Sequence, residues 1–158
     1  MRKPEKIIPI ILAAGCSPEL TFPKALALFG KKTALQIAVE NCRALKRPLV
    51  VLGSQANRIL PEVPNSCRAV INRNWRKGQL SSLQQALKSI PAGAAFLIYP
   101  VDHPLLKPTI VAQIIRAFRK RTPSQEIVKA GITETAAQQS KRRSSQPVSR
   151  LHLTAWSI

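Results

Sequence analysis

Acidic side chains are scarce in this chain. Asp102 is its sole aspartate, and 7 acidic residues face 25 lysines and arginines, for a net charge of +18. Aromatics are 4% of the residues, too few for a surface that binds single strands by stacking on bases. The three cysteines, Cys16, Cys42 and Cys67, stand far apart with no CxxC spacing. That argues against a zinc cluster and a disulfide framework. Reduced thiols and a cytoplasmic location are the expectation. No apolar run reaches the roughly 20 residues of a membrane helix, so no membrane span is expected.

What is present fits one globular domain. The chain has 158 residues and is 45% hydrophobic, enough for a sizeable core. Residues 1–120 carry +14 of the charge and residues 121–158 carry +4. The charge is thus spread over the body. It favours anionic ligands and non-specific polyanion binding, and it also serves as solvated surface.

Strand-like and helix-like segments alternate, the pattern of an α/β fold with a mostly parallel sheet. Residues 7–12 read as a buried strand. Residues 33–45 read as a helix capped by Thr33. Strands are expected at 48–53, 67–72 and 94–100, and a short helical turn at 54–60. Residues 80–90 read as a helix with Leu80, Leu83, Leu87 and Ile90 inward. A last helix runs from Thr109 to Lys120, with Pro108 near its first turn and Ile110, Ile114 and Phe118 on its apolar side. After Thr122 the periodicity fades, and residues 136–150 are rich in Gln, Ser and Arg. Residues 1–120 therefore read as the folded domain, and 121–158 as a poorly ordered basic tail.

Three segments carry chemistry. The first, residues 12–30, breaks from a strand into small residues and Gly15. Backbone can approach a ligand there, consecutive N–H groups can form an anion nest, and Ser17 and Lys24 add a hydroxyl and a charge. A plain strand-ending turn beside a surface lysine explains the same residues. The second is Asp102, at the end of the strand at 94–100. Ligands of open α/β sheets bind at that edge, and one carboxylate there can hold Mg2+ with nucleotide phosphates. A turn aspartate before Pro104 is the alternative. The third is residues 72–87, where Gly78 precedes a helix whose first turn carries Ser81 and Ser82. Such a helix start suits sugar or phosphate oxygens, and also plain capping.

The LAAG run at 12–15, Ser17, Lys24, the Asn72, Trp75, Gly78, Ser81, Ser82, Leu83 series and VDHP at 101–104 together resemble the MobA-like NTP transferases. The similarity covers residues 7–120 and is greatest to the molybdenum cofactor cytidylyltransferases. It implies a Rossmann-like nucleotidyltransferase fold, truncated at its C-terminal side. It also implies Mg2+-dependent transfer of an NMP, CMP in that branch, from an NTP to a phosphate-bearing acceptor such as the molybdopterin cofactor, with release of pyrophosphate. By position, Leu12, Ala13, Ala14, Gly15 and Ser17 would cradle the nucleotide. Lys24 would meet its phosphates, Asn72, Gly78 and Ser82 would line its pocket, and Asp102 would be the metal ligand. Lys24 and Asp102 would be the catalytic pair.

The chain also departs from that pattern. The family loop reads LAAGxSxRMGxxK, and here Glu19 stands at the arginine and Thr21 at the second glycine. A reversed charge beside a triphosphate is expected to cost several powers of ten in affinity or rate. The family's later Gly-His-Pro segment and second acidic ligand do not follow Glu126. A change of reading frame near 126–129 is the expectation, with one edge of the sheet left open. A non-catalytic nucleotide- or polyanion-binding remnant is the alternative function. A third reading takes the basic start and the apolar run before Cys16 as a lipoprotein signal, with Cys16 lipidated.

Overall fold

Alternation along the first apolar run sets the architecture. In the computed structural model, which describes residues 6–120 and the backbone of two further strands, this run is β1, Ile7–Ala13, buried along its whole length. Ile7, Ile11 and Ala13 join one core with Leu35, Cys42, Ile114 and Phe118. Ile8, Ile10 and Leu12 join another with Leu49, Val51, Ala86 and Phe96. The period of two of a strand thus builds a core on each face of the sheet.

After β1 come a small antiparallel ribbon, β2 (Leu28–Phe29) with β3 (Lys32–Thr33), and then helix α1 (Ala34–Asn41). Thr33 caps α1 as expected. Its Oγ1 accepts from Gln36 N–H at 3.2 Å, and its own N–H donates to Gln36 Oε1 at 2.9 Å, a reciprocal capping box. β4 (Leu49–Leu52), α2 (Ala56–Ile59), β5 (Arg68–Ile71), α3 (Gln79–Leu87), β6 (Ala95–Pro100) and α4 (Pro108–Lys120) follow. The last two strands are β7 (Ile127–Lys129) and β8 (Thr154–Ser157).

The main sheet has the order β5-β4-β1-β6-β8-β7. β5, β4, β1 and β6 are parallel, and β8 and β7 add antiparallel pairs. From β1 the chain moves outward through β4 to β5, then returns to the other flank of β1 as β6. β1 and β6 therefore meet at a topological switch point, and the crevice beyond their C-terminal ends is where such sheets take ligands.

One residue of α3 departs from its expected face. Leu80, expected inward, is 65% exposed, whereas Leu83 and Leu87 pack against the core and Ile90 is buried in it, beside the small buried Ser82 and Ala86. Strands β7 and β8 come from the stretch read as a tail, and β8 pairs with β6, so the far edge of the sheet is β7. The Gln/Ser/Arg-rich run at 136–150 lies outside the described residues. No helix among the described residues is long and apolar enough to cross a membrane. Cleavage before Cys16 would remove β1, the strand between β4 and β6, so the lipoprotein reading is incompatible with this sheet.

Candidate active site

Three strand ends converge because the residues between them are small. Ser54 N–H donates to Ala14 O at 3.0 Å, and Val101 N–H donates to Leu12 O at 3.1 Å. These two bonds draw the ends of β4 and β6 against the loop that follows β1. A Cβ on Gly53 would stand 2.6 Å from both Ala14 O and Trp75 Cβ, so only glycine permits this approach. Trp75 opens a single 3-10 turn, Trp75–Lys77, ended by Gly78 at a φ of 92°. That left-handed backbone favours glycine and starts α3 toward the sheet.

The cavity so enclosed has a volume of about 420 Å3. Leu12, Ala13, Ala14, Gly15, Ser17, Lys24, Gly78, Ser82 and Asp102 all line it. The three segments singled out in the sequence thus meet in one place. Asn72 is the exception among the expected pocket residues. It is 3% exposed and sits behind the wall, where its Nδ2 donates to Ser81 Oγ at 2.9 Å and to Ser82 Oγ at 3.0 Å. Its Oδ1 accepts from Asn74 N–H at 2.9 Å. Asn72 therefore ties the end of β5 to the first turn of α3. Ser81 Oγ is engaged too, 2.7 Å from Gly78 O and 3.0 Å from Asn74 O.

Lys24 opens a 3-10 turn, Lys24–Leu26, immediately after Pro23. Its Nζ lies 3.3 Å from Glu19 Oε1, and both side chains are well exposed. The Glu19 carboxyl is held below the usual carboxylate range, first by a bond from its own backbone amide and then by Lys24. Thr21 adopts no left-handed backbone, so replacing the family glycine there introduces no such strain. Its carbonyl instead accepts from Arg58 Nη1 of α2 at 3.2 Å, which fastens the loop.

The MobA-like NTP transferase domain model matches residues 9–148. The chain belongs to the MobA-like NTP transferase family. No curated protein matches it. Among solved structures, Rv0371c from Mycobacterium tuberculosis H37Rv superposes with a TM-score of 0.69 at 23% identity, over 79% of this chain and 64% of that one. The same protein in complex with manganese gives 0.62 at 22% identity, over 78% of this chain and 63% of that one. A CMP:2-keto-3-deoxy-manno-octonic acid synthetase complexed with CTP gives 0.70 at 14% identity, over 96% and 74%. At these identities the likeness is one of fold, the Rossmann-like nucleotidyltransferase fold. The chain spans about 64% of the length of Rv0371c.

Among the described residues of this MobA-like domain, Asp102 is the only carboxylate on the cavity wall. Its side chain is 54% exposed, with His103 Nε2 at 3.8 Å. No group of three His, Cys, Asp or Glu side chains stands ready for a metal among the described residues. One carboxylate on the wall of this cavity could hold a divalent cation that keeps several waters and takes the rest of its ligands from substrate phosphates. It does not fit a cation that needs an all-protein cage.

Sequence reasoning gave no role to Arg76, Ile59 or Gln79, which also line the cavity. The Arg76 guanidinium carbon lies 4.6 Å from the centre of the Trp75 ring, a cation–π contact on the wall. In a chain with 25 basic residues nothing marks Arg76 out before folding. Cys16, which the sequence offers as a reduced thiol or a lipidation point, is an exposed thiol on the same wall.

Proposed function

We propose that this chain transfers a nucleoside monophosphate, CMP, from an NTP to a phosphate-bearing acceptor such as the molybdopterin cofactor, releasing pyrophosphate. The observation that carries the reading is the meeting of the Gly15 loop, Lys24 and Asp102 in one cavity at the β1–β6 switch point. In this reading an acceptor phosphate oxygen attacks the α-phosphorus in line. The bond from the α-phosphorus to its bridging oxygen breaks, and that oxygen leaves with the pyrophosphate. Backbone N–H groups of the Gly15 loop orient the phosphates, and Lys24 offsets their charge. Asp102 would hold Mg2+, whose charge would stabilise the triphosphate and the leaving group. The choice of CTP draws support from a fold relative complexed with CTP, and a metal from one complexed with manganese.

The Glu19–Lys24 ion pair favours a second reading, a nucleotide- or polyanion-binding domain without turnover. Calorimetric and thermal-shift titrations with CTP, GTP and ATP, with and without Mg2+, separate the two. The transferase reading expects selective, Mg2+-dependent stabilisation by CTP. Equal, salt-sensitive shifts with every nucleotide and with plain pyrophosphate would leave only the binding reading.

A further inference from the structure

We infer that Asn41 and Tyr99 are positioning residues for Asp102, an inference that rests on the metal reading of that carboxylate. The Asp102 side chain is more than half exposed, and its one contact among the described residues is the His103 ring at 3.8 Å, so it contributes little to its own placement. Its position is set by the main chain on either side. On the upstream side, Val101 N–H is bound to Leu12 O. On the downstream side, the Tyr99 hydroxyl donates to His103 O at 3.2 Å. Asn41 Nδ2 donates to Tyr99 Oη at 3.0 Å and to Leu106 O at 2.7 Å.

These two polar side chains are buried in an otherwise apolar core with Leu35, Ala38 and Phe118. Leucine at 41 and phenylalanine at 99 would fill similar space without desolvating an amide and a hydroxyl, which is costly unless each is bonded. Here each bond ends, directly or through the other side chain, on a carbonyl of the segment that carries Asp102. Asn41 lies at the last position of α1, Tyr99 lies within β6, and the segment leads into α4. The network therefore fixes the Asp102 segment to the frame of the domain rather than to the pocket's own loops.

The test compares Tyr99→Phe and Asn41→Leu with the parent chain, using Mn2+ with CTP as the probe. Mn2+ binding is read by electron paramagnetic resonance, metal-free CTP binding by calorimetry, and the amides of His103, Leu105 and Leu106 by hydrogen exchange. Losing one bond of this kind should raise half-saturating Mn2+ about three- to tenfold. Metal-free CTP affinity should stay the same, and exchange at these amides should quicken in both variants. An unchanged Mn2+ curve in a folded Tyr99→Phe overturns this inference alone. An equal loss of metal-free CTP binding also overturns it, because the defect would then be general. A parent chain that binds no Mn2+ with CTP overturns the inference together with the metal reading of Asp102.

Discussion

Replacing Asn72 with alanine decides whether that residue holds the nucleotide or holds the wall. The side chain makes three hydrogen bonds while 3% exposed, to Ser81 Oγ, Ser82 Oγ and Asn74 N–H. At about 1 kcal/mol each, their loss is worth about 3 kcal/mol, and the buried Ser82 hydroxyl left without its donor keeps the estimate at that level even if Ser81 finds water. For a chain of this size, that corresponds to a fall in Tm of about 6–12 °C. Urea denaturation and a thermal melt of Asn72→Ala against the parent measure it directly. CTP affinity should fall less steeply, through movement of Ser82 and the Trp75 turn. Stability equal to the parent's, with CTP binding abolished, would refute the reasoning and return Asn72 to the pocket.

Four further outcomes are expected. Glu19→Gln should free Lys24 and tighten CTP binding about two- to fivefold at low salt, with the gain shrinking at high salt, as calorimetry at two ionic strengths would show; Glu19→Arg should add turnover, read as pyrophosphate release. Because the Glu19 carboxyl sits below its ordinary value, the stability its ionised form contributes is complete above the unfolded carboxylate range and is lost as pH falls through the lowered pKa, so no stability change from this pair is expected near neutral pH. Gly53→Ala should lower stability by about 1–3 kcal/mol, since its Cβ would press on Ala14 O and Trp75 Cβ at 2.6 Å, and an unaltered melt would contradict that account.

The parts of the fold that were legible are those where a local rule and the tertiary need agree. β1 is apolar throughout and is buried on both faces. Thr33 and Gln36 stand at the spacing of a capping box and form one. α4 has a single apolar stripe, and Val111, Ile114, Ile115 and Phe118 are buried from it. In α3 the leucine spacing places Leu83, Leu87 and Ile90 correctly, but it also points to Leu80, which is exposed, and gives no sign that the small Ser82 and Ala86 are the most buried. The cavity divides in the same way. Gly15, Lys24 and Asp102 could be read from strand ends and lone charges. Asn72 could be placed at the site, but its bonding within the wall follows from where β5 ends relative to α3. Arg76 carried no signal in so basic a chain. The Asn41–Tyr99 network joins residues 58 positions apart and had no local pattern to reveal it.

The effect of Glu19 shows what geometry adds to a charge count. Read from the sequence, a carboxylate in place of an arginine should weaken a triphosphate site by several powers of ten. In the structure Glu19 leans onto Lys24 with both side chains well exposed, so water and salt screen the pair and a few-fold effect is the physical expectation. What Glu19 removes is a cation rather than the cradle. The cradle is main chain, held by Ser54 N–H on Ala14 O and by Val101 N–H on Leu12 O, and no surface charge alters those bonds. Nucleotide binding should therefore survive with Glu19 in place. In the proposed transfer, the step that would depend on it most is turnover, because there the charge on the departing pyrophosphate would have to be offset and Lys24 is shared.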